Sequence, residues 1–146
     1  PLHARRHMTI QMAFAFAKVQ LLRRLRGSRA AVTAFLRWAT SYTSGGCAFE
    51  AMPAEMRGAM LDTADATLGD LDAGTLEHVS MRQVAALRPR VTCLLGDLTP
   101  PAIANATHRI VKALPAARLV TIEGAGHAIP FDRPREFARA VLAATA

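Results

Sequence analysis

A short apolar run, Val91-Thr92-Cys93-Leu94-Leu95, closed by Gly96, constrains the fold more than any other feature of the chain. Upstream of Pro89 the apolar residues recur at helical spacing. Downstream they come in short continuous runs, the pattern of strands buried in a parallel sheet. Only one more such run follows, Arg118-Leu119-Val120-Thr121-Ile122. Between the two, Pro100-Pro101 starts a helix through Ile103, Ala106, Ile110, Val111 and Leu114. After the second comes a tight turn, Gly124-Ala125-Gly126-His127. Asp132 then caps a last helix, with Pro134 in its first turn and Phe137, Val141 and Leu142 on its inner face. Strand, helix, strand, helix at these lengths predicts a βαβα unit with a right-handed crossover. Two strands do not make an open α/β sheet. Helices cover a sheet's face but cannot satisfy the N–H and C=O groups along a strand's edge. The first strand therefore predicts a pairing partner upstream of it, so the chain is expected to be the C-terminal part of a larger protein or a subunit that completes a partner's sheet.

The residues before that strand predict helices. From Met8 to about Arg26, Met8, Met12, Val19 and Leu22 share one face, and Ile10, Phe14, Leu21 and Leu25 nearly the opposite one. Gly27 reads as a left-handed stop and Ser28 as the N-cap of a second helix through Ala31, Phe35, Trp38 and Ala39. Ser44-Gly45-Gly46 breaks the pattern. A third helix opens near Pro53 and carries Met56, Met60, Leu61 and Ala64. Gly69 and Gly74 bracket an acidic loop containing Asp70 and Asp72, and a short helix from Leu76 to Leu87 leads to Pro89. Two regions result: residues 1–88, helical, and residues 89–146, the βαβα segment.

Charge is distributed in blocks. The 146 residues carry +7, yet residues 1–40 hold eight cations and no acid, while residues 41–80 hold seven acids and a single arginine, Arg57. Opposite blocks in one small chain neutralise each other on folding, so the net charge overstates the attraction for polyanions. One Trp, one Tyr and no arginine-glycine repeat leave no platform for base stacking, and nucleic acid is not an expected partner. No apolar run reaches the roughly 20 residues that span a bilayer. Cys47 and Cys93 are far apart and fit neither a zinc ribbon nor a disulfide scaffold. Arg5-Arg6 followed by Ala15-Phe16-Ala17 has the outline of a signal peptide, or of an amphipathic surface helix. Gln11 interrupts it, and the helical pattern continues to Leu25. The expected location is cytoplasmic.

At Gly124-Ala125-Gly126-His127 the chain resembles something specific. An apolar strand ending on Gly96, a Thr99-Pro100-Pro101 helix start, the strand Arg118–Ile122, the G-x-G-H turn and a proline-opened helix with Phe137 inward together resemble the C-terminal end of the α/β-hydrolase fold. The resemblance implies that His127 is the catalytic base and that residues 1–88 are the family's lid. A hydroxyl or thiol needs a neighbouring imidazole to take its proton before it attacks. Such an imidazole must sit on a rigid loop at the carboxyl end of the sheet. The alternative is that His127 merely packs or caps in a glycine turn. The family's G-x-S-x-G elbow and its oxyanion-hole glycines are absent. Where the family's acid usually stands, this chain has Thr99, which cannot ionise. Asp97, two residues earlier, is the candidate to orient His127 in a rearranged loop. Otherwise Asp97 caps the strand-end turn or the next helix, and the acid lies outside the chain.

Other candidates are weaker. His3 and His7, four apart, suit a metal only if helical and have no further ligand nearby; a frayed terminus is the better reading. His78 and His108 read as surface or boundary residues. Met8, Met12, Phe14, Phe16, Met56 and Met60 either line a pocket for an acyl group or pack the lid on the sheet. The fold class expected is α/β: a helical lid block followed by an incomplete βαβα unit from the end of an α/β-hydrolase sheet. The expected function is hydrolysis of a small apolar ester or related substrate, with no cofactor and no metal. The nucleophile lies outside this chain, which alone is expected to be inactive. The rival expectation is a non-catalytic ligand-binding or partner-completing subunit of the same fold.

Overall fold

Apolar residues three and four apart build most of this chain into helices. A computed structural model describes residues 10–73, 80–86 and 90–145. Helices α1 (Ile10–Arg26) and α2 (Ser28–Ala39) are separated by Gly27 alone, at φ 80°. Gly27 donates to the Arg23 carbonyl at 3.1 Å and its own carbonyl accepts from Ala31, so it ends one helix and caps the next. Ser28 is not the cap: it stands inside the first turn of α2, and its hydroxyl donates to Asp65 instead. Of the two apolar sides of α1, one packs. Val19 joins Ala31, Val32, Ala64 and Leu68 in a buried cluster flanked by Leu22, Phe35, Leu36, Leu61 and Leu71. Ile10, Phe14, Leu21 and Leu25, on the other side, are exposed.

Short helices follow: α3 (Ala48–Ala51), α4 (Ala54–Asp62), α5 (Ala64–Ala73) and α6 (Met81–Ala86). Pro53 is the cap residue of α4. The stripe expected from Met56 to Ala64 is split at Thr63, and Ala64 opens α5. The acidic loop expected after Gly69 is instead the second half of α5. Leu68 has no exposed surface, and burying a leucine is worth about 1.5–3 kcal/mol, more than the roughly 1 kcal/mol a helical glycine costs. The acids of these helices also have partners: Asp72 pairs with Arg23, Asp62 with Arg29, and Glu50 with Arg37. The basic first third is thus partly neutralised by the acidic segment, through exposed pairs that solvent screens. A capping box, Ser80 with Gln83, starts α6.

Beyond it lie β1 (Thr92–Gly96), α7 (Pro101–Ala113), β2 (Arg118–Ile122), α8 (Ile129–Asp132) and α9 (Pro134–Thr145). The strands are parallel, in register from Thr92 opposite Arg118 to Gly96 opposite Ile122. Among the described residues they form a two-stranded sheet, and β1 is paired along one edge only. The chain is therefore mostly helical with a small parallel sheet, broadly of the α/β class. Ile122, Ala125 and Ile129 form a core under β2 with Leu94, Val120, Phe137 and Ala140. A third cluster, Ala48, Phe49 and Met52, meets Ala128 and Phe131 and so joins the helical block to the βαβα segment. The boundary expected between residues 88 and 89 lies outside the described residues, as do His3, His7, Met8, Gly74, Leu76 and His78.

Candidate functional site

Because β1 and β2 end level with each other, the turns that follow them lie side by side, and backbone hydrogen bonds fasten one to the other. Asp97 N–H donates to the Ile122 carbonyl at 3.2 Å, and Leu98 N–H to the Ala125 carbonyl at 2.9 Å. Gly96 has to be glycine: a Cβ there would run into the carbonyls of Ala125 and Gly126. Gly124, at φ 67°, turns the chain away from β2, with the Arg133 guanidinium lying where its Cβ would be.

The structure thus brings Asp97 and His127 to adjacent turns at the carboxyl end of the sheet, but without a hydrogen bond between them. Asp97 Oδ1 accepts the Gly124 N–H at 2.7 Å. That bond runs to the turn after β2, so Asp97 caps neither its own turn nor the helix that follows it; it ties the two turns together. Among the described residues no hydrogen-bond partner is seen for the His127 imidazole. The residue is exposed at the surface, yet the surrounding protein displaces enough water to hold its pKa below the ordinary 6.5. Desolvation favours the neutral ring, the form that accepts a proton. Thr99, at the position where the resemblance expects an acid, is buried, and its Oγ1 has no hydrogen-bond partner among the described residues.

Two residues that sequence reasoning did not connect to the site dominate its geometry. Asp132 was expected to cap the last helix. Its side chain instead reaches back, Oδ2 accepting the Gly126 N–H at 2.8 Å and Oδ1 accepting the Tyr42 hydroxyl at 2.7 Å. Tyr42 comes from a loop closed by the Ser41–Cys47 bridge and by its own N–H donating to the Gly46 carbonyl. The next residue, Thr43, donates its N–H to the Leu98 carbonyl at 2.9 Å. The Tyr42 ring lies 2.7 Å from where a Cβ of residue 126 would stand, which reserves that position for glycine. Burial first, then the hydrogen bond to Asp132 and that carboxylate's charge, push the Tyr42 hydroxyl up to about 12.

Among the described residues, the methionines and phenylalanines of the set do not converge on one pocket. Phe14 and Met56 are exposed. Phe16 packs against Phe35 and Trp38, and Met60 packs on the Phe49 cluster. An open groove of about 500 Å³ runs beside the site, walled by Phe14, Trp38, Tyr42, Pro100 and Pro101, with Lys18 on its rim. Among the described residues no group of three or more His, Cys, Asp or Glu could hold a metal ion, His108 is exposed, and both cysteines are free thiols. No described helix is long and apolar enough to cross a membrane. Compared with protein-family models, with curated proteins and with solved structures, the chain finds no match.

Proposed function

We propose that this chain is the lid and C-terminal part of an α/β-hydrolase-fold enzyme acting on a small apolar ester or related substrate. The observation that carries the reading is the position of His127: an imidazole with no hydrogen-bond partner among the described residues, on a glycine turn fastened by backbone hydrogen bonds beside the turn that ends the neighbouring parallel strand. A nucleophile supplied by polypeptide pairing with the open edge of β1 attacks the carbonyl. His127 takes its proton as general base and returns it to the leaving group as acid. The acid that orients His127 is either Asp97, whose Oδ1 is bonded to Gly124, or a residue of the completing polypeptide. The groove between α1 and Pro100-Pro101 receives the apolar part of the substrate. The cytoplasm is the proposed compartment, and no cofactor or metal takes part.

The test is the polypeptide encoded immediately upstream, joined to this chain. It is expected to carry G-x-S-x-G and to hydrolyse a short p-nitrophenyl ester, with His127→Ala lowering kcat by about 10²–10⁴-fold. An upstream sequence without a nucleophile, or turnover indifferent to His127→Ala, refutes the reading. A second reading is favoured by Thr99, which puts a neutral hydroxyl in the acid's place: a subunit that completes a partner's sheet and binds a ligand without chemistry. It expects binding of the apolar ester without turnover by the joined protein.

A further inference from the structure

One carboxylate holds together two parts of the chain that are ninety residues apart in sequence. Asp132 lies at the end of α8, five positions beyond His127, and each of its oxygens has one donor. Oδ2 takes the N–H of Gly126, the residue bonded to His127, and Oδ1 takes the hydroxyl of Tyr42 from the helical block. The residue on the other side, Ala128, packs against the Phe49 and Met52 cluster of the same block. His127 is therefore bracketed by one polar and one apolar contact.

We propose that Asp132 is the positioning residue of the histidine turn, and that Tyr42 is the latch through which the helical block holds that turn in place. A carboxylate suits the task because both of its oxygens accept hydrogen bonds. An asparagine has one acceptor, and its amide would face the second donor with N–H. Tyrosine suits the other end because its ring covers Gly126 while its hydroxyl reaches the carboxylate. Displacing the helical block would release Oδ1 and uncover Gly126, so the orientation of His127 is coupled to that block's docking. The role in catalysis rests on reading His127 as a general base; the clamp itself does not.

Tyr42 is the sole tyrosine of the chain, so the ultraviolet absorbance of phenolate reports on it alone. In the 146-residue chain, its ionisation midpoint is expected near 12 and lower in Asp132→Asn, which removes the hydrogen bond and the charge but leaves the burial. The His127 imidazole, identified in NMR spectra by its loss in His127→Gln, is expected to titrate below 6.5 and to move upward in Asp132→Asn as the turn opens to water. Tyr42→Phe keeps the ring and the Asp132–Gly126 bond. It is expected to move the His127 midpoint in the same direction by less, and it serves if Asp132→Asn does not fold. A His127 midpoint that fails to rise in Tyr42→Phe overturns the proposal, as does one that fails to rise in a folded Asp132→Asn even where the tyrosine there responds, since a merely structural bond would leave the imidazole alone. That outcome would leave the hydrolase reading to the ester assay of the joined protein, which does not depend on the clamp.

Discussion

At the scale of single residues, the site is built by what its glycines leave out. Gly96 lets two turns share hydrogen bonds, and Gly126 admits a tyrosine ring. Between them they fix the level of His127. Its imidazole has a pKa below the ordinary 6.5 because of desolvation. The unfolded chain therefore binds a proton more readily than the folded one as pH falls through about 6.5, and stability declines across that window down to the folded midpoint. Urea unfolding measured over the same pH series is expected to show a weaker decline in His127→Gln. Equal slopes in the two proteins would mean that the ring is fully hydrated. Asp97 and Asp132 mark the limit of local reading. A carboxylate after a strand reads as an orienting acid or a cap, and one before a proline-started helix as a cap. Asp97 instead takes its donor from the neighbouring turn, Gly124, 27 residues on. Asp132 has a donor ninety residues distant, which no spacing rule exposes.

Among the elements, the legible ones were those whose pattern is short and bounded. β2 runs from Arg118 to Ile122, the residues of its apolar run, and α7 starts at Pro101 within the Pro100-Pro101 signal. α5 was illegible because what stabilises it is remote. Gly69 and two aspartates are weak helix formers, but Leu68 is buried against α2, and Asp72 pairs with Arg23 of α1. Gly69 has ordinary helical backbone and open space where a Cβ would be. Gly69→Ala is therefore expected to raise stability by about 0.5–1 kcal/mol in chemical denaturation. A loop requiring glycine would lose stability instead.

For the molecule as a whole, two surfaces stand without a described partner: the outer stripe of α1 and the free edge of β1. The α1 stripe was visible as a second apolar face, and the edge as a strand without enough neighbours. What should cover them was not visible, because a hydrophobic pattern records burial and not its source. Alternate amides of β1 are expected to exchange with solvent quickly in the isolated chain, while those bonded to β2 are protected. Uniform protection along Thr92–Gly96 would mean that the sheet is already complete.

In the proposed hydrolase the chemistry is divided: the imidazole stands here, and the attacking group belongs to other polypeptide. The most direct measurement is turnover of a small chromogenic ester by the isolated 146 residues. The rate expected is that of buffer alone. Turnover above that background, abolished by His127→Ala, would place a nucleophile within this chain and contradict the division.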